Sequence, residues 1–196
     1  MMILFCVLAY LLGSIPTGYL LYRLKEKKDI RGLGSTNIGA TNVLRLTGWK
    51  MALPVALIDI LKGAAPVYLG LLWFPGSWAV YAAGFLTVLG HCYPIYIRFR
   101  GGKGVATSIG VFAVLAPLPL LSSIAIFVLV VSLTRHVSLG SLTAFFCLPF
   151  LVWVFRDERE TAALAAAMFL LIAVRHRANI VRLLAGTEKK LGRKEA

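Results

Sequence analysis

The chain has 196 residues, 59% of them hydrophobic and only 15% charged, with a mean hydropathy of +0.83. That balance excludes an ordinary soluble domain and makes a bilayer the expected solvent. A net charge of +13 would suit a nucleic-acid binder, but the cations are confined to a few breaks between apolar runs, so no nucleic-acid partner is expected.

The apolar runs lie at 2–22, 51–73, 78–97, 105–133, 137–155 and 161–174. Several reach the roughly 20 residues that cross hydrocarbon as a helix, and none alternates as a barrel strand does. The first run has no Lys or Arg ahead of it and no small-residue cleavage pattern after it, so it is expected to stay as a span. Cys6, Cys92 and Cys147 lie in or beside apolar runs without a metal-like spacing and read as packing residues.

Basic residues fall at 23–50, 98–103, Arg135 and from Arg175 onward, which together hold 18 of the 21. The breaks at 74–77 and 116–119 hold none, and at 156–160 Asp157, Glu158 and Glu160 outnumber Arg156 and Arg159. By the positive-inside rule the basic breaks are cytoplasmic, the amino terminus lies outside and the carboxyl terminus inside. Seven spans meet that parity, provided 105–133 is two short helices broken at Pro117-Leu118-Pro119. The fold class expected is all-α, polytopic and integral to the membrane, with segments 23–50, 90–107 and 175–188 gathered on one side.

The first of these segments contains Gly34-Ser35-Thr36-Asn37-Ile38-Gly39-Ala40-Thr41-Asn42-Val43-Leu44-Arg45. Glycines allow close backbone approach, Ser35, Asn37, Thr41 and Asn42 offer donors, and Arg45 can grip a phosphate with two N–H groups. An ordinary polar turn is the plainer reading of the same residues. Next along the chain, Asp59 and Lys62 sit three apart inside an apolar run, where ionisable groups are costly, and are expected to neutralise one another.

The second segment runs from Gly90-His91-Cys92-Tyr93-Pro94 to Phe99-Arg100-Gly101-Gly102-Lys103-Gly104-Val105-Ala106-Thr107. Glycines and a lysine before a helix amino terminus suit a phosphate, either that of a substrate or that of a lipid headgroup. It is not an ATP-binding loop, because Gly104 stands where a Ser or Thr would follow the lysine. His91 and His136 read as interfacial hydrogen-bonding residues.

The third segment, Arg175-His176-Arg177-Ala178-Asn179-Ile180-Val181-Arg182-Leu183-Leu184-Ala185-Gly186-Thr187-Glu188, continues the last span. If the helix is unbroken, His176, Asn179 and Arg182 share a face, and Ile180, Val181 and Leu184 rest on the membrane interface. His176 is a candidate base or phosphate donor, or simply a further positive surface residue. Residues 189–196 read as a solvated tail. The three motifs quoted contain no carboxylate except Glu188, so a magnesium-dependent mechanism is disfavoured and no metal or other cofactor is expected. There is also no His followed four residues later by Asp, the acid–base pair of other acyltransferases.

These three segments, with the Asp59-x-x-Lys62-Gly63 element, resemble the bacterial acyl-phosphate:glycerol-3-phosphate acyltransferases, the PlsY family, over nearly the whole chain. Thr36 departs from the family pattern, where a Gly is more usual. The resemblance implies a single transmembrane acyltransferase domain over 1–196, in the bacterial inner membrane with its active site at the cytoplasmic face. It implies acyl phosphate as donor in place of acyl-CoA or acyl carrier protein, glycerol 3-phosphate as acceptor, and lysophosphatidic acid as product of phospholipid biosynthesis. No oligomeric state is assigned by it, and membrane lipids are the remaining partners. Carried onto this chain, Ser35, Arg45 and Lys103 with Gly102 and Gly104 resemble phosphate binders, Asn37 and Thr41 line the substrates, and Ser35, His176 and Asn179 are the catalytic candidates. Ser141, in Ser138-Leu139-Gly140-Ser141, is a further candidate. A small organophosphate transporter and a protein that only binds anionic lipid are the rival classes, although no inverted repeat is visible.

Overall fold

The computed structural model describes residues 1–156 and 158–192. Asp157, Arg193 and Lys194, which the sequence analysis assigned to a turn and a tail, lie outside the described residues. Among those described there are ten α-helices and two short 3-10 turns. They form two compact units, Met1–Leu115 and the residues from Ala116 on.

In the first unit, the span expected at 2–22 is one membrane-length stretch, Met2–Glu26, interrupted at 14–16 so that it consists of α1 (Met2–Gly13) and α2 (Thr17–Glu26). Pro16 at the N-cap of α2 has no N–H to continue the ladder, and the break frees the Ile15 carbonyl for other donors. After a 3-10 turn at Ile30–Gly32 come α3 (Ala40–Thr47), α4 (Trp49–Trp73), α5 (Trp78–Cys92), a second 3-10 turn at Ile95–Ile97 and α6 (Val105–Leu115). The helices meet through glycines. A Cβ on Gly63 of α4 would sit 2.0 Å from the Thr107 carbonyl oxygen of α6, and one on Gly110 of α6 would sit 1.9 Å from that of Ile60 on α4. Gly13 and Gly90 bring α1 and α5 together in the same way, over the Thr87 and Tyr10 carbonyls. Where lipid is the competitor, such backbone proximity is what gives helices a reason to pair.

The second unit holds α7 (Pro117–Thr134), α8 (Val137–Arg156), α9 (Arg159–Arg175) and α10 (Arg177–Leu184). The break inside 105–133 falls at Ala116, one residue before the expected triplet, because Pro117 and Pro119 occupy the first turn of α7, where a missing N–H costs nothing. Ser123 donates to the Ala144 carbonyl at 2.8 Å, tying α7 to α8 inside the apolar interior. Leu164, Ala165, Met168 and Ile172 form the buried face of α9.

Among the described residues five helical stretches are long and apolar enough to cross a membrane: Met2–Glu26, Trp49–Trp73, Trp78–Ile97, Pro117–Thr134 and Val137–Phe155. A sixth is the pair α9 and α10, bent by 66°. The remaining apolar helix, α6, has 11 residues and is about 16 Å long, well short of the roughly 30 Å of hydrocarbon. The protein is thus all-helical and built for a membrane, with outward-facing leucines and aromatics on the spans such as Leu57, Leu61, Leu72 and Phe150.

The glycine contacts make a specific expectation. Gly110→Val should lower stability in detergent by about 3 kcal/mol or more, since its branches would meet the α4 backbone, whereas Gly32→Ala, with nothing near it, should change little. Thermal unfolding of the two variants, followed by circular dichroism, measures the difference.

Candidate active site

The loop 33–42 of the first segment is fixed from below. Ile30, Ile38 and Val43 are fully buried in one apolar cluster with Tyr19, Tyr22, Met51 and Val55. Gly18 lets the loop press onto α2, for a Cβ there would lie 1.9 Å from the Ile38 carbonyl oxygen. Asn42, which the sequence offered as a donor to a ligand, is consumed by the loop itself. Its Oδ1 accepts the Ser35 N–H at 2.8 Å, and its Nδ2 donates to the carbonyls of Leu33 at 3.1 Å and Asn37 at 2.8 Å. Three bonds from one buried carboxamide leave it no part in recognition, and turn a chain of small residues into a rigid rim.

What that rim leaves outward is a set of polar groups at the start of α3. The Asn37 Oδ1 accepts the Gly39 N–H at 2.8 Å, which fixes the turn into the helix. Thr41 and Arg45 are both exposed and one helical turn apart, so they share a face of α3, with Ser35 half-buried in the loop ahead. Among the described residues Arg45 has no ion-pair partner. By contrast Arg31 is held by Asp29 at 2.6 Å and lies over the Tyr19 ring at 4.9 Å. The hydrogen bonds from Arg31 hold the Asp29 carboxyl below its usual range.

The second segment turns tightly after α5. The backbone is left-handed at Arg98 and Phe99 (φ 58° and 60°) and again at Gly104 (φ 86°), immediately before α6. Gly101 and Gly102 lie directly on His91. A Cβ on Gly101 would be 2.2 Å from the His91 carbonyl oxygen, and one on Gly102 would be 2.0 Å from the His91 Nε2. The Gly102 N–H also donates to the His91 carbonyl at 3.0 Å. Lys103, half-buried, follows at the mouth of α6. Beneath, Asp59 and Lys62 pair at 2.7 Å as expected, and His91 joins them with its Nδ1 3.6 Å from the same carboxylate oxygen. His91 is therefore a buried residue, packed under the loop.

In the second unit the helix does not run straight through the third segment. It bends at His176, which is buried, and whose Nδ1 stands 2.8 Å from the Ile172 carbonyl oxygen. A carbonyl only accepts, so Nδ1 is the donor in this contact. Asn179 and Arg182, one turn apart on α10, both reach Glu188: Asn179 Nδ2 donates to Oε1 at 2.5 Å and Arg182 Nε to Oε2 at 2.7 Å. Ser138 at the start of α8 adds a third bond to Oε1 at 2.7 Å. The buried Ser141 instead donates to the Val137 carbonyl one turn back at 2.9 Å. Asn179 and Ser141 stand out in the sequence but the Ser138–Glu188 link does not, since nothing in spacing relates residues 50 apart.

The comparisons with known proteins bear on these segments together. The family model described as glycerol-3-phosphate acyltransferase matches residues 3–186. The chain belongs to the glycerol-3-phosphate acyltransferase family. A glycerol-3-phosphate acyltransferase of Syntrophotalea carbinolica is 47% identical over 185 residues, covering 93% of each chain. One of Thermoanaerobacter pseudethanolicus is 44% identical over 192 residues, covering 98% of this chain and 96% of its own. Crystal structures of PlsY, an integral membrane glycerol 3-phosphate acyltransferase, superpose with TM-scores of 0.93 for its glycerol 3-phosphate form and 0.90 for its lysophosphatidic acid form. Both are 38% identical and cover 97% of this chain, and 96% and 95% of their own. As a member of the glycerol-3-phosphate acyltransferase family, the protein is thus placed among multi-pass integral membrane enzymes, and all ten candidate site residues fall within the matched span.

The Glu188 junction gives an acid dependence. Burial pushes its carboxyl up, but the bonds from Asn179, Ser138 and Arg182 outweigh burial and hold it below its ordinary value of 4.5. A carboxyl depressed in the folded state adds stability above its unfolded pKa and loses it as pH falls through the folded one. Resistance of the carboxyl-terminal segment to proteolysis should therefore decline on acidification below pH 4.5, and Glu188→Gln should be weaker at neutral pH and lack that decline.

Proposed function

We propose that the protein transfers a fatty acyl group from acyl phosphate to the sn-1 hydroxyl of glycerol 3-phosphate, giving lysophosphatidic acid and inorganic phosphate, at the cytoplasmic face of the bacterial inner membrane. The observation that carries this reading is the family match along 3–186, which takes in both basic loops and the His176 segment at once. In this orientation the amino terminus is outside and the carboxyl terminus inside, as the distribution of Lys and Arg favours.

In this reading Ser35, Asn37, Thr41 and Arg45 bind phosphate from the rim of α3, and Lys103 with Gly102 and Gly104 binds it from the mouth of α6. An acyl phosphate is already an activated mixed anhydride. The protein needs to hold two anions close without mutual repulsion, direct the acceptor hydroxyl at the acyl carbon, and stabilise the oxyanion that develops. The C–O bond to glycerol forms as the acyl–phosphate C–O bond breaks, and phosphate leaves with the bonding pair. No covalent acyl-enzyme and no metal or other cofactor is required. The hydroxyl proton passes first of all to the departing phosphate of the donor. His176 is the second candidate base, its ring held by the Nδ1 bond to Ile172. Asn179 acts by way of Glu188, and Ser141 by supporting the start of α8.

Arg45→Ala and Lys103→Ala should each weaken the transition state by about 2–4 kcal/mol, as loss of a desolvated charge-assisted contact does. Release of phosphate from acyl phosphate that depends on glycerol 3-phosphate, with purified protein in detergent, is the assay, and near-wild-type kinetics in both variants would remove the site. The proton question is settled by the pH profile of His176→Ala. If the donor phosphate is the base, the profile keeps its shape at a lower rate; loss of a limb near pH 6 to 7 assigns the proton to His176.

A further inference from the structure

We propose that His91 is a positioning residue, the seat on which Gly101 and Gly102 rest, locked in place by the buried Asp59–Lys62 pair, so that it sets the conformation of the loop carrying Lys103. The inference rests on the reading of that loop as a phosphate binder, and adds to it a part that no substrate touches.

The geometry is specific to a histidine under glycines. The ring lies in the last turn of α5, 5% exposed, with Nε2 filling the space that a side chain on residue 102 would need and the backbone carbonyl filling that of residue 101. The Gly102 N–H to His91 carbonyl bond anchors the loop at the same point. On its other side the ring faces the Asp59 carboxylate, whose charge is met by Lys62 at 2.7 Å. Lys62 in turn donates to the Ile15 carbonyl at 2.9 Å, at the break between α1 and α2. Four parts of the first unit are thereby locked to one another: the α1–α2 break, α4, α5 and the loop. An apolar residue at 91 could fill the volume but would leave the carboxylate without its second neighbour, and a smaller one would leave the glycines unsupported. The two glycines and the histidine are one fitted set, so the small residues and the ring explain one another.

Such a fit has a signature that general destabilisation lacks. Gly102→Ala clashes with the ring, and His91→Ala removes the ring and opens the space. Each alone should raise KM for at least one phosphate substrate by about tenfold with a smaller change in kcat, while the double variant should lose about tenfold less in kcat/KM than the product of the single losses. Losses that multiply would overturn the proposal. Hydrogen exchange of the substrate-free wild type and of His91→Gln, read by mass spectrometry over peptides spanning 99–105 and 33–42, carries the test where an alanine variant fails to fold. Exchange rising about tenfold in 99–105 alone supports the seat, and unchanged exchange there, or an equal rise in both peptides, rejects it. Should Lys103→Ala keep wild-type kinetics while His91→Gln loosens 99–105, the phosphate reading fails and the seat stands.

Discussion

Asp59 and Lys62 face one another at 2.7 Å in the middle of a 25-residue apolar helix, almost without access to solvent. Neither charge could be carried alone at that depth, where an isolated ion costs several kcal/mol at the least, and much of the first unit is arranged around their joint satisfaction. Lys62 has protons to spare after Asp59, and the interruption of the first span at Pro16 supplies the Ile15 carbonyl for one of them. From the other side α5 brings the His91 ring to 3.6 Å from the same Asp59 oxygen that Lys62 pairs with. The break in α1–α2 and the histidine under the glycine turn are therefore two halves of one solution to a single buried pair.

The same logic of using up inward groups shapes the rim at α3. Asn42 spends its whole carboxamide on Ser35, Leu33 and Asn37, and Asn37 spends its oxygen on Gly39. A loop held by these bonds has few alternative conformations, and it carries Ser35 ahead of the helix face that presents Thr41 and Arg45. Glycines do the complementary work. Gly18 admits the loop to α2, and Gly63 with Gly110 admits α6 to α4, which brings the end of the second loop to the buried pair.

The spans were legible because hydrocarbon demands long apolar runs, and the loops because they interrupt those runs with glycines, polar residues and cations. The helix ends were less so. Proline is permitted in the first turn of a helix, and so the pair Pro117 and Pro119 marks a start where it was read as a break, moving the interruption to Ala116. The bend at His176 follows from no breaker residue at all, since Arg175, His176 and Arg177 are each acceptable in a helix. Pairings between distant residues were hidden for a different reason. Asp59 with Lys62 is visible at three residues' separation, but His91 beneath Gly102, and Ser138 with Asn179 on Glu188, depend on which helices lie side by side. Asn42 and Asn37 look alike in sequence, and only the fold divides them into a strut and a rim residue.

The distribution of carboxylates shows where charge has been left open. The chain has eight acidic residues against 21 basic ones, and three of the described acids within or near the basic segments are spent on the scaffold: Asp29 on Arg31, Asp59 on Lys62, Glu188 on Arg182. Arg45, exposed on the same face of α3 as Thr41, is assigned no such acid among the described residues. A protein that supplies counter-ions to its structural cations and withholds one from a cation on a rigid rim keeps that charge available, and a bound anion regains there the electrostatic energy that a carboxylate would have taken. The surplus of positive charge is thus a property of position as well as of composition, and it explains why an arginine is tolerable at the rim while the lysine in hydrocarbon needs its aspartate.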